Sequence, residues 1–274
     1  MSAAPAILAA RTDWGAFDAA VARARDAGFE PGFWWRDDDA VADTPALARL
    51  LAVARDLSLP VALAVVPARA ERSLAARLAD EPLATALVHG LAHANHAPPR
   101  ERKAEFGPNR PLPVLVHEAE QALAAARAAL GPKVVPIFVP PWNRIAPALT
   151  AALPGLGYRG LSTFKDRAAP SPAQGLLQVN AHLDPIAWTT SRSLAEAAAL
   201  IASLARAISD RLAGRADRAE PIGLLTHHLV HDDAVWRFCE DFLVRASGYH
   251  RMRFLPVAVL LDEQGGTELG APPR

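Results

Sequence analysis

Three of the chain's nine histidines fall within eight residues, His89-Gly90-Leu91-Ala92-His93-Ala94-Asn95-His96. His89 and His93 are spaced i, i+4, so one helical turn would put both imidazoles on the same face. Two neighbouring imidazoles are what a divalent ion such as zinc takes from a protein when a third ligand arrives from elsewhere. Upstream, the apolar run Gly32-Phe33-Trp34-Trp35 ends in Arg36 and then Asp37-Asp38-Asp39. Adjacent carboxylates at a strand end can supply that third ligand and a general base beside it. Crowded like charges cost energy unless a cation offsets them. The plainer alternatives are an acidic turn capping the next helix and two hydrogen-bonded histidines with no metal.

These residues need elements that bring positions fifty residues apart together. Apolar runs read as strands at Gly32–Arg36, Pro60–Val66, Thr85–Val88, Val134–Val139, Gly160–Thr163, Leu176–Asn180 and Ile222–Thr226, with a last one over Arg253–Leu261. Helical patterns lie between them, at Asp13–Ala27, Thr44–Leu57, Ala68–Ala79, Val116–Leu130, Ile145–Leu153, Ser193–Leu212 and Asp232–Ala246. Thr44-Pro45 makes an N-cap and first-turn pair. The stretch Ala97–Pro113 has no periodicity, and a loop of that length in a compact domain points to function. Repeated β-α-β-α order argues an α/β fold with a parallel sheet and helices outside it. In such folds function collects at the carboxyl ends of strands, where Asp37–Asp39, His89–His96, Pro140–Arg144 and His227/His228 all fall. With no internal repeat and no linker, a single domain over residues 1–263 is expected, followed by a disordered tail, 264–274.

Composition sets the outer limits. An apolar fraction of 51% is ample for a large core, and 29 basic residues balance 29 acidic ones. No basic stripe is evident, which argues against a nucleic-acid partner. The single Cys239 excludes an intrachain disulfide and sits in an aromatic helical pattern, as a core thiol would. The start, Met1–Pro5, lacks a basic leader region, and no apolar run approaches the roughly 20 residues that span a bilayer. A cytoplasmic protein without a membrane partner is the expectation; oligomeric state is not legible.

The order of the clusters resembles the polysaccharide deacetylase superfamily (NodB homology, carbohydrate esterase family 4). Asp37-Asp38 stands for its Asp-Asp motif and His89-Gly90-Leu91-Ala92-His93 for its His-[Ser/Thr]-x-x-His motif. Val139-Pro140-Pro141-Trp142 partly matches Arg-x-Pro-aromatic, Asp184-Pro185-Ile186-Ala187-Trp188 weakly matches the motif with Asp and Trp, and Leu225-Thr226-His227 matches Leu-x-His. Gly90 replaces the hydroxyl residue, Val139 the Arg, and Asp39 stands where Gly is frequent, so the chain reads as a divergent branch.

The resemblance implies a distorted (β/α)7-type barrel and a metal-dependent hydrolase, expected to be an N-deacetylase of an amino sugar or other small amide. Asp38, His89 and His93 would hold the ion and Asp37 would be the base; the register Asp38 as base and Asp39 as ligand stays open. Zinc is the expected ion, and cobalt, nickel or manganese also suit a His₂-carboxylate site. His227 would protonate the departing amine, and a backbone N–H in the Pro140–Asn143 turn would serve the oxyanion. Arg144 or Arg36 would replace the missing arginine. His96, Pro141, Trp142, Asn143, Arg144 and Trp188 are the candidate substrate-binding residues, while His228, on the other side of its strand, reads as structural. Two other readings stay open: hydrolysis of a cyclic amide, and a catalytically silent barrel that binds a sugar or a partner protein.

Overall fold

The computed structural model describes residues 12–265. The tail expected to be disordered lies, from residue 266 on, outside the described residues. Among those residues seven parallel strands form one sheet: β1 (Phe33–Ala40), β2 (Val61–Val65), β3 (Ala84–Val88), β4 (Val134–Phe138), β5 (Gly160–Leu161), β6 (Leu177–Gln178) and β7 (Ile222–Thr226). Their spatial order is β6-β5-β4-β3-β2-β1-β7. Every residue of β2 is buried, as an all-apolar strand covered on both faces must be. The sheet curls until its two edges approach: Leu183, just past β6, bridges Leu224 of β7. Gly223 makes this possible, since a Cβ there would lie 2.6 Å from the Asn180 carbonyl oxygen and 2.8 Å from Ala181 Cα. The architecture is an α/β half-barrel of the (β/α)7 type.

Helices α1 (Gly15–Asp26), α2 (Pro45–Asp56), α3 (Arg72–Ala79), α4 (Leu112–Leu130), α5 (Pro147–Ala152), α6 (Ala197–Leu212) and α7 (Asp233–Leu243) follow the expected order. Thr44 caps α2 as its sequence suggests, with Oγ1 accepting the Leu47 N–H at 3.1 Å. Alternation along β1 divides its aromatics. Phe33 and Trp35 join the large core under the helices. Trp34 points the other way, into an inner cluster with Ala62, Ala64, Leu87, Ile137 and Val179.

The expected last strand, Arg253–Leu261, is a correction. Only Phe254 pairs, with Phe33, and Val257–Gly265 is a helix, α8. Pro256 has no N–H to give a ladder, but its fixed φ suits a helix start. Val257, Leu260 and Leu261, at helical spacing, then fill the inner face of the sheet. No helix among the described residues is long and apolar enough to cross a membrane.

Candidate metal centre and active site

The three aspartates lie within β1, not beyond it. Plain alternation would put Asp37 and Asp39 on one side and Asp38 on the other. Instead, the pairing with β2 slips between Asp38 (opposite Ala64) and Ala40 (opposite Val65), and Asp39 takes φ +73°. This is a β-bulge, which re-aims side chains, and Asp is among the few residues that tolerate the left-handed region. Asp38 and Asp39 therefore both line one cavity of about 700 Å³. Asp37 faces away and is 0% exposed. It accepts from Thr226 Oγ1 at 2.6 Å, from the His228 backbone N–H at 3.0 Å, and from His228 Nδ1. Burial would raise its carboxyl pKa, but the His228 charge and these hydrogen bonds outweigh that and lower it. Asp37, the expected base, therefore does not face the cavity: its oxygens are committed inside the protein, and it anchors β1 to the segment after β7.

The carboxylate that meets the imidazoles is likewise one position further along than expected. His89 Nε2 lies 3.2 Å and His93 Nε2 3.3 Å from Asp39 Oδ1, and the three groups form one compact cluster of ligand atoms. Asp39, not Asp38, faces the imidazoles. His89 Nδ1 is 2.9 Å from the Val139 carbonyl oxygen, which fixes the proton on Nδ1 and leaves the Nε2 lone pair toward Asp39. Burial pushes the His93 imidazole pKa down, with the neighbouring His89 adding to the effect. Two lone pairs and a carboxylate oxygen facing one point repel unless a cation sits among them, so the donor set fits a divalent ion. Burial would raise the Asp39 carboxyl; when the imidazoles carry protons in place of a shared cation, the hydrogen bond and charge of His89, with the charges of His93 and His227, hold it well below the usual carboxylate range instead.

No helix joins the two histidines, contrary to the i, i+4 reading. Gly90 at φ +59° and His93 at φ +57° curl the segment. The buried Glu105 carboxylate pins it by accepting the N–H groups of Ala92 at 2.8 Å and Leu91 at 3.3 Å. This explains Gly90: a Cβ would sit 2.1 Å from Glu105 Oε2 and 2.6 Å from Pro141 Cγ. Restoring a hydroxyl residue by Gly90→Ser is accordingly expected to cost metal affinity at least tenfold or to destabilise the fold by about 2 kcal/mol or more. Zinc titration and urea denaturation check it, and wild-type values in both would show that the turn has room.

Of the two residues expected to replace the motif arginine, Arg36 reaches Asp38. Its guanidinium, 0% exposed, donates from Nη2 to Asp38 Oδ2 at 3.1 Å, while Nε approaches Oδ1 at 2.9 Å as an ion pair. Ser162 Oγ at 2.7 Å, the Thr163 carbonyl at 3.1 Å and Asn143 Oδ1 at 2.8 Å hold its other donors. Arg144 does not reach Asp38; it donates to the Lys103 carbonyl at 2.7 Å.

On another wall, the His227 ring meets Trp188 edge to face, centroids 4.7 Å apart, and its Nδ1 is buried with no hydrogen-bond partner among the described residues. Trp188 Nε1 donates to Asp184 Oδ2 at 2.7 Å. Burial raises the Asp184 carboxyl pKa, against the pull of the nearby His227. His231 Nε2 accepts the His227 backbone N–H at 3.1 Å, which only an unprotonated nitrogen can do, and burial holds this imidazole down to about 4. The unfolded chain, at about 6.5, therefore takes up the proton first as pH falls. Stability is full above that value and declines toward about pH 4, by on the order of 2–3 kcal/mol. His231→Gln, an acceptor that does not titrate, should flatten this part of the curve; unchanged urea midpoints from about pH 7 to 4 would exclude His231 as its source.

Of the expected substrate-binding residues, Trp142, Asn143, Arg144 and Trp188 line the cavity together with His227. Two do not. His96 is exposed, held through its backbone to Ala104 and Asn109, and Pro141 is buried against Gly90. In the Pro140–Asn143 turn the prolines have no N–H and Asn143 gives its own to the Pro140 carbonyl, leaving Trp142 N–H as the candidate oxyanion donor. Sequence reasoning missed Glu105, Ser162, Lys103 and Arg192. A lone acid in a loop and a lone serine after a short strand carry no motif.

No protein-family model matches the sequence, and no curated protein sequence does. Solved structures do match. A candidate polysaccharide deacetylase from Mycobacterium smegmatis superposes with TM-score 0.59 at 13% identity, over 84% of this chain and 81% of that one. The fold is that of the polysaccharide deacetylases. The peptidoglycan deacetylase PdaC from Bacillus subtilis matches with TM-score 0.51 at 11% identity, over 87% of this chain and 95% of its own. The Xyl-CE4 domain of a multidomain xylanase from the hindgut metagenome of Trinervitermes trinervoides gives 0.52 at 12%, over 86% and 92%. On this deacetylase fold the Asp/His cluster occupies the carboxyl ends of β1, β3 and β7, where parallel α/β folds place their chemistry.

Proposed function

We propose that the chain is a divalent-metal-dependent amide hydrolase that removes an N-acetyl group from an amino sugar or other small amide. One observation carries this reading: Asp39, His89 and His93 converge beside the Arg36-held Asp38, with His227 in the same cavity. Asp39, His89 and His93 would hold the ion, with zinc the expected occupant. When bound, such an ion polarises an amide carbonyl and lowers the pKa of water toward about 7.

The chain's own groups do the rest. Asp38, fixed by Arg36, takes a proton on a carboxylate oxygen from the attacking water. Trp142 N–H faces the developing oxyanion. His227 delivers a proton to the amine nitrogen, which is needed because an amine anion is a very poor leaving group. Trp142 and Trp188 wall the cavity. Purified protein should carry one equivalent of divalent metal and release acetate from a panel of N-acetylated sugars, with cyclic amides as the contrast. Ring opening without acetate release would move the reading to cyclic amides. Absence of both metal and turnover would leave a silent binding barrel.

A further inference from the structure

Lys103, Arg144 and Arg192 line the cavity alongside Asp38, Asp39 and Asp184, but the charges do not pair off. Asp38 is matched by Arg36, and Asp39 faces the two imidazoles. Asp184 is occupied by the N–H groups of Trp188 and Ile186. Among the described residues, none of the three cations has a carboxylate partner: Arg144 donates to a backbone carbonyl, and the Arg192 guanidinium lies 5.5 Å over the Trp188 ring.

They come from three separate connections: the 97–111 loop, the turn after β4, and the segment between β6 and α6. Arg144 follows Trp142, whose ring packs 4.3 Å from His93. Arg192 sits on the Trp188 ring that touches His227. Cations thus flank both the metal-ligand side and the proton-donor side, each next to an aromatic face able to take a sugar ring or an apolar body. Burial, with the like charge of Arg102, already depresses the Arg144 pKa, and a bound anion would relieve that. Arginine forks match carboxylate and phosphate oxygens in geometry as well as in charge.

We infer that the substrate is an anionic N-acyl compound, its carboxylate or phosphate drawn beside the scissile amide by the positive charge that Lys103, Arg144 and Arg192 place around the cavity. This rests on the amide-hydrolase reading of the same site and adds the substrate's charge. The test compares N-acetylglucosamine, N-acetylglucosamine 6-phosphate and N-acetylmuramic acid on the zinc-loaded full chain, by acetate release and by calorimetric binding. At least one anionic probe should exceed the neutral sugar tenfold or more in kcat/KM, and which one identifies phosphate or carboxylate. Arg144→Gln and Arg192→Gln should each cut that ratio about tenfold, chiefly through KM, with the circular dichroism spectrum unchanged. Equal kcat/KM for all three overturns the inference and leaves the hydrolase reading standing. If none is hydrolysed, preferential binding of an anionic probe, lost in the two variants, still supports the anion site. Equal or absent binding overturns it, while the hydrolase reading is judged on metal content and the wider amide panel.

Discussion

Asp38→Asn should lower kcat by about two to four orders of magnitude and leave the metal content at one equivalent, whereas Asp39→Asn should lose the metal itself. The two side chains are adjacent, yet the bulge gives them different partners. Asp38 sits on the Arg36 guanidinium and Asp39 on two imidazole nitrogens. An amide in place of the Asp38 carboxylate keeps the shape and removes the proton acceptor. An amide in place of Asp39 removes the one anionic ligand from a three-ligand set. Asp37→Asn separates from both: it leaves the cavity lining intact but strips the buried His228 of its counter-charge, which is expected to cost about 3–5 kcal/mol. Metal content, turnover and urea midpoint on the three variants assign the three aspartates. If Asp37→Asn abolished turnover with metal and stability unchanged, the base would be Asp37 after all.

That assignment marks the boundary of what the sequence makes legible. Apolar runs marked all seven strands of the sheet, because a parallel strand covered on both faces is apolar over most of its length; β1 departs from this, its apolar run ending at Trp35 while the strand continues through Arg36 and the three aspartates to Ala40. The clusters after those strands gave the neighbourhood of the site, because parallel strands end on the same side. Register within Asp37-Asp38-Asp39 is different in kind. Three identical side chains carry no pattern, and the residue that takes positive φ is chosen by how β1 pairs with β2 twenty-five residues on. The His89/His93 spacing showed that the two imidazoles could meet but not how. A helical turn and a loop curled by Gly90 and His93 give the same juxtaposition, and Glu105, which decides between them, lies in a stretch without periodicity. At the carboxyl end, Val257–Leu261 is as apolar and β-branched as a strand. Pro256 was the readable signal, and it marks a helix start.

Arg36 offers the sharpest test of how the proposed site orients its base. Val139 cannot orient a carboxylate, and Arg36 reaches Asp38 from two residues away on the same strand, with Ser162, Thr163 and Asn143 fixing the far side of the guanidinium. Arg36→Met removes that cation from a site where both side chains are almost wholly inaccessible. Breaking such a pair leaves Asp38 as an uncompensated buried charge, at about 3–5 kcal/mol. In Arg36→Met/Asp38→Asn no charge is left unpaired, so the double variant should regain a large part of that loss in urea midpoint while remaining inactive. Arg36→Lys keeps the charge but has three donors where the site uses a planar fork of five. It should fold and bind metal, with kcat reduced at least tenfold and KM little changed, as expected when a base is misoriented and the substrate contacts are intact. A loss of under about 1 kcal/mol in Arg36→Met, or full kcat in Arg36→Lys, would show that the arginine merely neutralises charge and that something else aims the base.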